Sequence, residues 1–247
     1  EEHVWNGRVL IDTVGQVIDI NRPFMVGYDF TGCNRPEEMF ERALRMEAEG
    51  ILSSLVTAKT GFLRALELIK ERLDQGGKIV TTGAGASALV AEEIAGQCYE
   101  TGVPCLCITN NMAQALPVSF AKGTGEEEGG LARFIAQQVS EKDVLIGVSA
   151  SGGTGFVYEA VRLARERGAL TVAITENLDS PLGKYAHVVI KSNAKPEGPS
   201  STRIQTAHLA IGHALVCILA ALRGVSAEDS IRYMLPEKIA TKKMGIK

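Results

Sequence analysis

Val144-Leu-Ile-Gly-Val-Ser-Ala-Ser-Gly-Gly-Thr154 joins a five-residue apolar run to a cluster of small hydroxyl residues and glycines, and a helical pattern follows from Gly155 to Arg167. An apolar run this short, bounded by turn residues, reads as a strand buried on both faces. Such strands belong to parallel sheets covered by helices. The N–H groups of a helix's first turn have no intrahelical acceptor and sit at the positive end of its dipole. A Gly/Ser turn feeding a helix therefore makes a cradle for an anion. Ser149, Ser151 and Thr154 add three hydroxyl donors, and Gly152 lets the backbone come close. Phosphate is the ligand this chemistry suits.

The same alternation extends outward from that stretch. Lys78-Ile-Val-Thr-Thr82 reads as a strand, Gly83-Ala-Gly-Ala-Ser87 as a tight turn and Ala88 to Tyr99 as a helix. Pro104 to Thr109 reads as a second strand, residues 110–130 as a long irregular connection and Leu131 to Val139 as a helix. Downstream come a strand at Leu170 to Thr175, a turn at Ser180-Pro-Leu182, a strand at His187 to Ile190 and a loop from Asn193 to Ser201. An apolar helix from Thr202 to Leu222 follows. Upstream, two helices are expected, one from Pro36 to Gly50 and one from Ile51 to Leu73; β-branched runs at Val9 to Ile11 and Val14 to Ile20 suggest a hairpin or arm. The expected fold is α/β, a three-layer αβα sandwich. Residues 1–50 would form an arm and helix, 51–225 the sandwich and 226–247 a tail. Ligands of such sheets bind beyond the carboxyl ends of the strands, where both Gly/Ser turns fall.

Composition narrows the function classes. A net charge of −3 over 247 residues offers no basic face for nucleic acid or an anionic membrane. No run of eighteen apolar residues occurs, so no bilayer span is expected, and Glu1-Glu-His-Val-Trp5 is acidic where a signal peptide is basic. Cys33, Cys98, Cys105, Cys107 and Cys217 form no framework of spacings and read as thiols of a reducing cytoplasm. Cys105 and Cys107 are read as facing opposite sides of their strand, which gives no metal-ligand pair.

Gly83-Ala-Gly85 is not a dinucleotide fingerprint, because Ala88 stands where a third glycine is needed and Thr109-Asn-Asn111 where an acid is needed. Instead, the two turns, with Ala164 to Gly168, Ile174-Thr175 and Ser180-Pro-Leu182, resemble the sugar isomerase (SIS) domain family over about residues 60–222. The resemblance implies a five-stranded parallel αβα sandwich that binds phosphosugars. It implies phosphate roles for Ser87, Ser149, Ser151 and Thr154, with Gly85, Gly152 and Ser201 lining the same site. It implies no metal or organic cofactor, and a homodimer or homotetramer with sites near subunit interfaces.

Thr202-Arg-Ile-Gln-Thr-Ala-His-Leu-Ala-Ile-Gly-His213 is similar to the last helix of phosphoheptose isomerases, which implies an acid/base role for His208; His213 reads as packing or interface. Those isomerases, and the N-acetylmuramic acid 6-phosphate etherases of the same family, carry a catalytic glutamate at the fifteenth residue from the first turn glycine. That place is Gln97 here, and a neutral amide cannot be a general base. Glu197 is the first substitute, by similarity to the isomerase domain of glucosamine-6-phosphate synthase. Glu93, one turn before Gln97 on the same helix face, is the second, and the acidic run Gly123 to Gly130 the third. The expected activity is aldose–ketose isomerisation of a sugar phosphate with Glu197 and His208. A phosphosugar-sensing regulator and an etherase-like lyase are the alternatives.

Overall fold

The computed structural model describes residues 28–109, 128–195 and 201–234, and the backbone of 9–11 and 17–19. Glu197 and most of the acidic run 123–130 lie outside the described residues. Strands β1 (Val9–Ile11) and β2 (Val17–Asp19) pair antiparallel, as the expected hairpin does.

Helix α1 (Pro36–Asp74) is 39 residues, about 58 Å long at ~1.5 Å per residue. Proline in its first turn, Glu37 and Glu38 beside it and Arg72 in the last turn are what a helix of this polarity favours. The two helices expected on either side of Gly50 are thus one. Gly50 does not break it because the glycine is buried, where a Cβ would lie 3.1 Å from that of Ala194. Farther along, Gly61 passes so close to β7 (Val188–Lys191) that a Cβ would sit 1.9 Å from the Val189 carbonyl oxygen.

Five parallel strands form the central sheet in the order β4-β3-β5-β6-β7, with β3 at Ile79–Gly83, β4 at Cys105–Cys107, β5 at Val144–Val148 and β6 at Leu170–Thr175. Period-two alternation sorts their side chains to two cores. Ile79, Val144, Ile146, Val172 and Ile190 face α1, α2 (Ala86–Glu100) and α6 (Thr202–Leu222). Val80, Leu145 and Ala173 face α3 (Glu128–Gln137), α4 (Gly155–Glu166) and α5 (Pro181–Tyr185). The result is the expected three-layer αβα sandwich. Ser180-Pro-Leu182, read as a turn, instead opens the short helix α5, capped by Ser180, whose Oγ accepts from the Gly183 N–H. A last helix, α7 (Ala227–Tyr233), starts with a capping box between Ser226 and Asp229.

The cysteine reading needs correction: residues two apart on a strand share a face, and both Cys105 and Cys107 pack against the α1/α2/α6 core. Helix α6 is, by length and composition, apolar enough to cross a membrane, but half of its most apolar window is buried inside the fold. It packs along α1 and α2.

Asp143 ties the amino ends of the two middle strands together. Its carboxylate accepts from the Lys78 N–H at 2.9 Å, the Lys78 ammonium at 3.0 Å and the Ser140 N–H at 2.8 Å. Burial alone would raise its pKa, but these donors outweigh burial and hold it below the usual carboxylate range.

Candidate functional site

From β3 the chain crosses outward to β4 and then returns to β5 on the other side, so the strand order reverses between β3 and β5. Open α/β sheets bind ligands at that switch point, beyond the carboxyl ends. Gly83 and Val148 are paired in register there, so the two Gly/Ser turns start about 4.8 Å apart, one strand spacing.

The turn after β5 is closed by its own hydrogen bonds. Ser149 is buried, its N–H donates to the Ile174 carbonyl at 3.1 Å, and its Oγ accepts from the Gly152 N–H at 3.0 Å. Thr154 Oγ1 lies 3.0 Å from the same oxygen, and Ser151 Oγ accepts from the Gly153 N–H at 3.2 Å. Gly152 has φ +69°, and a Cβ there would lie 2.0 Å from Ser180 Oγ. Its carbonyl accepts from the Leu182 N–H, so the Ser180-Pro-Leu182 segment buttresses the turn from below. Thr154 stands at the N-cap position of α4 with its hydroxyl turned to Ser149 and not to the helix N–H groups.

The turn after β3 is closed by the Ser87 N–H donating to the Ala84 carbonyl at 3.0 Å and the Ala88 N–H to the Gly85 carbonyl at 3.1 Å, and it is braced from a distance as well. Gly85, at φ +56°, precedes α2, and Ser87 stands in the first turn of that helix. Gln205 of α6 donates from Nε2 to Ser87 Oγ and to Ser201 Oγ, each at 3.2 Å. A cavity of about 350 Å³ opens there, lined by Ala86, Ser201, Thr202, Gln205, Tyr28 and Glu47. Gly85, Ser87, Ser149, Ser151, Gly152, Thr154 and Ser201 all lie at the carboxyl edge. Hydroxyls, turn N–H groups and the dipoles of α2 and α4 supply the attraction for an anion.

The two histidines of α6 differ sharply in exposure. His208 is fully buried, with Nε2 at 2.9 Å from Ser192 Oγ, and the Ser192 hydroxyl reaches Glu176 Oε2. Its Nδ1 is buried without a partner among the described residues, and burial lowers its pKa to about 3. His208 is therefore a neutral core residue joining α6 to the ends of β6 and β7, not an open acid/base. His213, expected to pack or to lie at an interface, is half exposed, and its Nε2 lies 3.1 Å from Glu93 Oε1. Gln97 donates from Nε2 to that same oxygen at 3.2 Å. Glu93, Gln97 and His213 form one cluster across α2 and α6, about 9 Å along α2 from Ser87.

Sequence reasoning passed over Gln205, Tyr28, Glu47 and Glu176. Gln205 is a lone amide in an apolar helix, a signal of a polar contact to be made. Glu47 is one of five glutamates on the first half of α1 and carries no such mark.

A family model described as the SIS domain matches residues 45–176. The chain belongs to the SIS domain family. Its match spans both Gly/Ser turns, Glu47, Gln97 and Glu176. The N-acetylmuramic acid 6-phosphate etherase of Salmonella schwarzengrund is 32% identical over 148 residues, 58% of this chain and 50% of the relative. The chain spans about half the length of the curated relatives it matches. Among solved structures, a Bacteroides fragilis protein described as a phosphosugar isomerase involved in capsule formation superposes with TM-score 0.64 at 27% identity, covering 80% of this chain and 96% of that one. The phosphoheptose isomerase of Neisseria gonorrhoeae superposes with TM-score 0.57 at 25% identity, covering 74% and 99%.

Proposed function

We propose that the chain binds a sugar phosphate at the carboxyl edge of its sheet and interconverts the aldose and ketose forms by acid/base proton transfer. Ser87, Ser149, Ser151 and Thr154 hold the phosphate, with Gly85, Gly152 and Ser201 shaping the same edge. The relatives named above support the ligand class, since an N-acetylmuramic acid 6-phosphate etherase and a phosphoheptose isomerase are both named for phosphorylated sugars.

The contact between Glu93 and His213 carries the reaction. Isomerisation needs a base to take the proton from the carbon beside the carbonyl and an acid to protonate the carbonyl oxygen, giving an enediol; reversing the roles on the neighbouring carbon completes the exchange. Glu93 is the base and His213 the acid, an adjacent carboxylate and imidazole both open to solvent. Gln97, standing where relatives carry the glutamate, orients Glu93 instead of replacing it. The six residues from Ser87 to Glu93, about 9 Å, are the span that the sugar's carbon chain bridges. Glu197 is a second carboxylate to substitute in parallel.

The test is a panel of pentose, hexose and heptose phosphates in heavy water. Wild-type protein should carry deuterium into C1 or C2 of one of them. Glu93→Gln should lower that rate by about 10²- to 10⁴-fold while phosphate affinity holds. Release of a free hydroxy acid from an ether sugar phosphate would replace the isomerase with a lyase. A second reading, phosphosugar sensing without turnover, is favoured by Gln97 and the buried His208; a ligand that raises the unfolding temperature without exchange or release would establish it.

A homodimer or homotetramer is part of the proposal. Leu52, Leu55 and Val56 are exposed on α1 beside an apolar groove of about 820 Å³ shared with Ala210, Ala214 and Ile218 of α6. Light scattering of the protein in solution reads the state directly. A reducing, cytoplasmic setting accords with five free thiols.

A further inference from the structure

Tyr28 and Glu47 reach the carboxyl edge from outside the sheet. Tyr28 precedes α1 and Glu47 lies on it, yet both line the 350 Å³ cavity with Ala86, Ser201, Thr202 and Gln205. The Tyr28 hydroxyl donates to Glu47 Oε1 at 2.6 Å, and the Thr202 side chain hydrogen-bonds the same hydroxyl. Burial and the Glu47 carboxylate both raise the phenol's pKa, so it stays a donor. One carboxylate oxygen is thereby fixed. The other, Oε2, is buried and has no hydrogen-bond partner among the described residues.

A buried acceptor without a donor bears the desolvation cost with nothing in return. The groups around the cavity differ in kind. Ser201, Thr202 and Gln205 can donate or accept, and the first turns of α2 and α6 present N–H donors, whereas an ionised Glu47 can only accept. A bare phosphate suits the donor end and is repelled by the acceptor end. A molecule with an anionic group at one end and hydroxyl donors farther along suits both.

We propose that Glu47 is a substrate-contacting, specificity-determining residue: with Oε1 held by Tyr28, Oε2 accepts a hydrogen bond from a hydroxyl of the bound sugar. The proposal rests on the reading that the carboxyl edge binds a sugar phosphate. Glu47 therefore separates sugar phosphates from inorganic phosphate, and among sugars it reads the configuration of the hydroxyl that reaches it. Tyr28 is the positioning residue that keeps the carboxylate from turning away.

Calorimetric titration of the full chain tests this, with inorganic phosphate and the same panel of sugar phosphates as ligands. Glu47→Gln should weaken the best sugar phosphate about tenfold, the loss of one hydrogen bond to a charged group. It should leave inorganic phosphate equal or tighter, because the repelling charge is gone. Tyr28→Phe should weaken the sugar phosphate by a smaller factor, about threefold, again without loss of inorganic phosphate. Thermal unfolding of the ligand-free protein supplies the control: Glu47→Gln should not lower the unfolding temperature, whereas a Glu47 that only holds Tyr28 in place would lower it and weaken both ligands alike. Should that variant not fold, Glu47→Asp, which keeps the charge and withdraws the oxygens, should show the same selective loss. Sugar-phosphate affinity unchanged in Glu47→Gln overturns the proposal alone; wild-type protein that binds no sugar phosphate overturns it together with the reading beneath it.

Discussion

The turn after β5 and the turn after β3 present similar residues to the same crevice, yet they are held in different ways. Ser149 to Thr154 is fastened by its own hydroxyls and N–H groups, with Ser180 filling the space beside Gly152. The turn at Gly83 to Ser87 is fastened by Gln205, 118 residues farther along the chain from Ser87. One turn has its serine and threonine hydroxyls engaged within the turn itself, with Ile174, Ser180 and Leu182 bracing it from behind. The other has its own backbone bonds, Ser87 N–H to the Ala84 carbonyl and Ala88 N–H to the Gly85 carbonyl, but its serine hydroxyl is engaged only once α6 has docked. A site assembled from both has a preformed half and a half coupled to the rest of the fold.

The largest effect expected of this difference is at Gly152. Gly152→Ala places a Cβ on a left-handed residue and against Ser180, so it should cost about 3 kcal/mol of stability in urea unfolding and remove sugar-phosphate binding. Ser149→Ala should come next. It deletes a donor and frees the Gly152 N–H, for about a tenfold loss of affinity for sugar phosphate and inorganic phosphate together. The coupled turn should respond more mildly but not additively. Ser87→Ala and Gln205→Ala should each cost about threefold, and the double variant less than the product of the two, because both break one contact. Equal additivity at both turns would erase the distinction drawn here.

A separate effect, read only at acid pH, is on the stability profile. His208 stays neutral in the fold, with its pKa at about 3 against an ordinary 6.5, while the unfolded chain takes up a proton below 6.5. Stability is therefore complete above pH 6.5 and drains away as the pH falls towards 3. His208→Gln should flatten that fall in unfolding temperature, leaving what the carboxylates contribute.

Much of this was legible because strand, turn and helix announce themselves locally. The strands Val144–Val148 and Leu170–Thr175 and the helix Thr202–Leu222 begin and end where their patterns do. The joined helix across Gly50 was not, since the glycine reads as a stop until Ala194 is seen against it. Nor was the order of the two histidines. Helix α6 is apolar on most sides, so no polar stripe shows which of two positions five apart, about 140° around the helix, turns inward. Glu47 and Gln205 act through contacts across the fold, to which periodicity is blind.

Asp143 gives the crevice a mechanical character. It grips β3 and β5 at their amino ends, and the two strands stay paired as far as Gly83 and Val148, where the chain leaves the sheet in the two Gly/Ser turns. The pair is clamped at its amino end and laddered along its length, and the turns beyond it have freedom that the strands do not. Displacements on binding should grow with distance from that clamp, so the turns can adjust to a guest while the base of the sheet keeps its register.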